Sequence, residues 1–321
     1  MIKDTLNTSM YLKVAIIFGI LFGFAAVVTF IGTWEKVKPP VKTKLRDSFS
    51  EASSVLRSRS FKIFIGIYLS GQCAMDFVSG MAIYYVDDVL GGYDKGYLTM
   101  LMGVLLSSQL VGMLIFTPIM TRTSKRTTIL IGAPIRLAST LGLLAFSYTG
   151  APIVPVLLLS AGVGIGNAAT LTSIFAILAD MADIDELITS TRRPGIVSGM
   201  ATFARKISAG LSVWFIGLLL SLVGYDTKLA HSGVSQALTT QRGIAMIFIV
   251  IPAILVVLLL IFGYIFPITN KEFDIVKKEI GRRCGTDGSV ASDDEKRILE
   301  RVTGFKYEDL WKVSNEHKIR S

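Results

Sequence analysis

Residues 177–217 read ILADMADIDELITSTRRPGIVSGMATFARKISAGLSVWFIG, a run in which charge repeatedly interrupts apolar sequence. Four carboxylates (Asp180, Asp183, Asp185, Glu186) come before two guanidiniums (Arg192, Arg193), and Arg205 and Lys206 then lie inside an apolar stretch. Groups of opposite sign at such short separations can form ion pairs that make and break. A charge within an apolar span costs about 2.5–3.5 kcal/mol on insertion scales, so it normally faces a cavity or a partner. Upstream, Gln72 and Asp76 lie one helical turn apart on one face. Gln109, Arg136 and Asn167 are further polar groups within apolar runs. These side chains suit binding rather than bond-making. No nucleophile–base pair and no metal-ligand spacing appears, Cys73 and Cys284 are far apart, and His231 and His317 stand alone. The sequence therefore implies neither an enzyme nor a cofactor or metal.

The elements that must hold these groups are membrane helices. A chain of 321 residues with 51% hydrophobic and 18% charged residues and mean hydropathy +0.58 is too apolar for a water-soluble domain. Its apolar residues fall in runs of about 20 or more, the length that crosses a bilayer as helix. Spans are expected over residues 11–33, 61–86, 97–120, 127–148, 152–178, 198–225 and 243–267. The glycine-rich GVGIGNAA of the fifth reads as close helix packing rather than a phosphate loop, because no strand or lysine context surrounds it. The net charge of +9 is explained by basic loops beside the spans, without nucleic acid. Trp34 marks an interface. Lys36, Lys38, Lys42, Lys44, Arg46, Arg57 and Arg59 crowd the first loop, where Pro39 and Pro40 break any helix; Arg122, Lys125 and Arg126 occupy another. Acidic Asp87, Asp88 and Asp94 form a turn on the opposite side. This alternation puts the N-terminus outside and the C-terminus in the cytoplasm of a multi-pass cell-membrane protein. The chain divides into a first helix (1–34), a basic linker (35–60), a six-helix unit (61–267) and a cytoplasmic tail (268–321). In the tail, Thr269-x-x-Glu272 and Ser292-x-x-Glu295 predict two capped helices. Phe305, Tyr307, Leu310 and Trp311 either dock that tail on the bundle or leave it free and solvated.

The segment AD-x-x-D-x-x-E (Ala179, Asp180, Asp183, Glu186), the arginine pair and TFARK resemble the glycoside–pentoside–hexuronide:cation symporters. These form the melibiose-carrier-like branch of the major facilitator superfamily. The basic loop after Trp34, the TRTSKR turn and the LERVTGFKYEDLW tail add to the resemblance. It implies an all-α membrane fold in which this chain supplies helices six to twelve of twelve, the first five having no counterpart. It further implies a sugar and a coupling cation, Na+ or H+, bound between two halves. Lys206 matches the family's helix-eleven lysine, associated with sugar and cation binding, and Thr202 a polar sugar-site position one turn earlier. Asp180 and Asp183 match the cytoplasmic motif. Ala201, Ile184 and Pro194 depart from the family's glutamine, tyrosine and glutamate.

The expected binding set is thus Lys206, Thr202, Asp76, Gln72, Asn167, Arg136 and Gln109. The expected cytoplasmic gate is Asp180, Asp183, Glu186, Arg192 and Arg193. Lys206 either faces a cavity or snorkels from about 12 Å inside its span. Arg205, about 100° around the helix from it, pairs with a neighbouring helix or a headgroup. Asp76 either serves as a proton or cation site, pairs with Arg136 or Lys206, or sits protonated against Gln72. Gln109, Asn167 and Arg136 either meet sugar hydroxyls or glue helices together. The function expected is cation-coupled sugar or glycoside symport by alternating access, completed by an N-terminal half or a second copy. The rival is a non-transporting membrane protein, either a truncated or decayed carrier or a binding or regulatory subunit.

Overall fold

The computed structural model describes residues 8–32, 53–92, 96–231 and 235–311. Trp34, the linker lysines, Pro39, Pro40, Arg46, Asp94 and His317 lie outside the described residues. Those that are described form helices and turns with no strand. Seven helices among them are long and apolar enough to cross a membrane.

Met1–Leu45 and Arg46–Ser321 form separate compact units. The first contains α1 (Thr8–Gly32), whose 25 residues give about 37 Å of helix. Lys13 is the one charge in it.

The second unit is a six-helix bundle with a helical tail. Its spans are α2 (Arg59–Tyr84), α3 (Tyr97–Arg122), α4 (Lys125–Gly142), α5 (Ile153–Thr189), α6 (Pro194–Leu222) and α7 (Leu238–Ile265). α5 packs mainly on α3 and α4, α2 on α7, and α6 on α2. The glycine-rich run explains the α5 contacts. A Cβ on Gly166 would come within 2.6 Å of the Arg136 backbone nitrogen and the Gly132 carbonyl of α4. One on Gly112 of α3 would come within 2.7 Å of the Ala168 Cβ. Small residues here let three backbones meet, in agreement with the packing reading.

Two boundaries differ from the pattern of apolar runs. α5 continues eleven residues past 178, so Asp180, Asp183, Asp185 and Glu186 lie on its last turns and not in a loop. Their i, i+3 spacing already suits a helix face; the charge marks where α5 leaves the bilayer, not where it stops. Ser190 stops it, at φ 60°, with its N–H bonded to the Glu186 carbonyl at 2.8 Å. Pro194 then opens α6 at its first helical position, four residues before 198. Likewise Asp87 and Asp88 are not in a turn but in a π-helical extension of α2, Tyr85–Val89.

The tail forms α8 (Asn270–Arg283) and α9 (Asp293–Thr303), both opened by the expected capping boxes. It is docked on the bundle. Asn270 donates to the Thr123 carbonyl at 2.8 Å, Ser60 donates to that of Val302, and the Trp311 N–H meets that of Ile188 at 3.2 Å. Leu310 is fully buried, and Phe305 and Tyr307 pack against the core. Glu279, buried on α8, accepts from Arg282 (3.1 Å), Arg283 (2.9 Å) and the Tyr307 hydroxyl (2.7 Å).

Candidate functional site

Charged side chains gather at two depths of the bundle. At the end covered by the tail, the hairpin between α5 and α6 folds Arg192 and Arg193 back along α5. Arg193 grips Asp185 with both arms, at 2.8 and 3.0 Å, and reaches the Ser54 hydroxyl at 3.3 Å. Arg192 bridges Asp183 (3.3 Å) and Glu186 (3.9 Å), which lie three residues apart on one face. Lys125, at the start of α4, pairs with Asp180 and lies 4.7 Å from the centre of the Phe273 ring of α8. All five expected gate residues therefore take part in ion pairs. Burial ranks the pairs: Arg192 is 67% exposed, whereas Asp185 is 5% exposed.

Two members of this layer are not in the expected gate set. Asp185 was readable as one of four carboxylates, but only the left-handed Ser190 turn brings Arg193 onto it. Lys125 was readable as loop charge placed by topology. Its partner lies 55 residues away, and no local spacing connects them.

The second depth is mid-span. Asp76 of α2 receives two hydrogen bonds from Arg205 of α6, each 2.7 Å. Neither Arg136 nor Lys206 is its partner, and both of its oxygens are taken by Arg205 rather than Gln72. The neighbouring-helix reading of Arg205 is the observed one. Asp76 lies about 26 Å along α2 and Arg205 about 16 Å along α6. Each side chain remains about a quarter exposed. Because α6 starts at Pro194, Lys206 lies about 18 Å along its helix rather than about 12 Å. Lys206 and Thr202 are exposed on α6 one turn apart, and Gln72 is half-buried beside Asp76 on α2.

The other expected binding residues are engaged elsewhere. Asn167 donates to Gln109 at 2.9 Å, joining α5 to α3. Arg136 is fully buried and donates to the Gly71 carbonyl of α2 at 3.2 Å; its Nε and Nη2 have no partner among the described residues. It holds helices together where the missing side chain of Gly166 leaves room. A cavity of about 640 Å³ between α2, α6 and α7 is lined by Cys73, Phe77, Phe203, Ile207, Leu211 and Trp214 among others, and by no charged residue. Apart from Cys73, Ser208 and Ser212 the lining is apolar, which suits hydrocarbon better than a sugar rich in hydroxyls.

The arrangement thus offers a partly open Asp76–Arg205 pair mid-span, with Thr202 and Lys206 exposed within one turn of Arg205 on α6, and a separate layer of ion pairs at one end. Residues 2–270 match a family described as MFS/sugar transport protein. The glucuronide carrier protein homolog of Escherichia coli (strain K12) is 28% identical over 221 residues, 67% of this chain and 46% of that relative. An uncharacterized symporter of Synechocystis sp. is 21% identical over 267 residues, 83% of this chain and 48% of the relative. Another from Bacillus subtilis (strain 168) is 23% identical over 215 residues, 65% and 44% respectively. The chain spans about half the length of the curated relatives it matches.

Proposed function

Since the chain belongs to the MFS/sugar transport protein family, we propose that it forms one half of a cation-coupled sugar or glycoside symporter working by alternating access. The observation that carries this reading is the mid-span patch: Lys206 and Thr202 exposed on α6, beside an Asp76–Arg205 pair that is only partly covered. Charge held at that depth and left accessible favours a polar cavity over lipid. The glucuronide carrier homolog makes a glycoside a reasonable first solute to test.

In this reading, Thr202 and Lys206 supply hydrogen bonds to sugar hydroxyls, and Asp76 supplies the negative charge that a coupling Na+ or H+ requires. Lys125–Asp180, Arg192 with Asp183 and Glu186, and Arg193–Asp185 form the cytoplasmic gate. They brace the half at its inner end while it rocks about the mid-span site. The N-terminus lies outside and the C-terminus inside the cell membrane. The complementary helices come from the same polypeptide, a partner chain or a second copy.

The test is uptake of a labelled glycoside into proteoliposomes containing this chain with its complementary helices. An inward Na+ or H+ gradient should accelerate uptake. Uptake at background under both gradients would favour a non-transporting membrane protein.

A further inference from the structure

We propose that Asp76 and Arg205 form an exchangeable ion pair. Arg205 is the receptor for the acidic group of a transported sugar acid. Asp76 is its resident counter-ion, freed by the exchange to take up the co-transported cation. This rests on the transport reading above and adds the residue that recognises the acid and the origin of the coupling.

The geometry is that of an acid receptor already loaded with an internal acid. Arg205 presents two parallel donors to both Asp76 oxygens at 2.7 Å, the fork that fits any carboxylate or sulfonate. Access separates this fork from the other two arginines considered. Arg136 is sealed in the bundle with no counter-ion among the described residues. Arg193 holds an Asp185 that is 5% exposed. Only at Asp76–Arg205, among these three, are guanidinium and carboxylate both a quarter open, so an incoming acid can displace the resident one.

Charge balance then dictates coupling. The resting pair is neutral. An acidic sugar arriving alone would leave Asp76 as an unpaired carboxylate mid-span, which a low-dielectric surrounding strongly disfavours. One monovalent cation on Asp76 restores neutrality, so the two enter together. Of the other mid-span cations, Arg136 is sealed against the Gly71 carbonyl of α2, and Lys206 lies about 100° around α6 from Arg205. α2's other charges (Arg59, Lys62, Asp87, Asp88) are near its ends, those of α5 lie in its last turns, and α7 carries Arg242 at its start.

The experiment is titration calorimetry on this chain together with its complementary helices in detergent, with two probes differing only at C6, methyl β-D-glucuronide and methyl β-D-glucoside. Each is measured in sodium buffer, in choline buffer, and in choline buffer at lower pH. The wild type should favour the acid and require a cation for it; recovery by sodium assigns Na+, recovery by acidification assigns H+. Arg205→Gln should reduce the acid-to-neutral affinity ratio by roughly 10- to 100-fold. Asp76→Asn should raise acid affinity and abolish its cation requirement. The double variant Asp76→Asn/Arg205→Gln removes both charges, leaves neither unpaired, and should show the lowered ratio in a folded protein. An unaltered ratio in that double variant, or acid binding independent of any cation in the wild type, overturns the exchange. Wild-type binding of the glucoside without preference for the acid overturns the exchange and leaves sugar transport standing. Binding of neither sugar overturns both.

Discussion

Arg193 and Arg205 each hold a carboxylate through two nitrogens, at nearly the same distances. The first pair is 15% and 5% exposed, the second 23% and 24%. The first sits beside a docked tail and is backed by Ser54. The second lies mid-span, next to an exposed lysine and threonine. The same chemistry can thus brace one region and leave another free to bind. What separates them is access, set by which helices close over the pair.

The largest expected effect tests the braced side. Arg193→Ala leaves Asp185 buried without a partner and should cost about 3–5 kcal/mol, read as a lower unfolding temperature in detergent. Asp76→Ala should cost about 1 kcal/mol by the same measurement, because the freed Arg205 can reach water. Equal losses would erase the contrast. Lys206→Ala should change stability by less than about 0.5 kcal/mol while removing glycoside uptake. A large stability loss there would make Lys206 a structural residue.

The smallest effect concerns the tail that covers the braced end. Arg282 and the Ser292 N–H hold the Glu295 carboxyl down to about 2 from an ordinary 4.5. Glu272 is also lowered: burial works against it, but the hydrogen bonds from Thr269 prevail. A carboxyl lowered in the folded state contributes stability that is present above its unfolded value and lost as pH falls. Tail docking should therefore weaken between about pH 4.5 and about 2. Trp311 fluorescence, with Trp34→Phe and Trp214→Phe, reads it; Glu295→Gln should flatten the response.

Much of this was readable from residues alone, for identifiable reasons. Span number follows from apolar run length, and the tail helices from Thr269/Glu272 and Ser292/Glu295, because those signals are local. The end of α5 was not, since Asp180–Glu186 carries both a loop signal in its charge and a helix signal in its spacing; packing decided for the helix. Partner choice was least readable. Arg136 or Lys206 was the expected partner of Asp76, and the packing of α2 on α6 instead sets Arg205 against it. Arg136 allowed both a binding and a helix-contact reading, and only the packed helices show it buried with one bond to the Gly71 carbonyl.

The most direct test of the mid-span site is accessibility at Ala209, half-buried on α6 one turn beyond Arg205. In a Cys73→Ser/Cys284→Ser background, Ala209→Cys, with the complementary helices present, is exposed to a charged, water-soluble thiol reagent, with and without a glycoside. A water-filled binding cavity predicts labelling from the aqueous phase that the glycoside slows. No labelling, or labelling at the same rate with the sugar present, would contradict it.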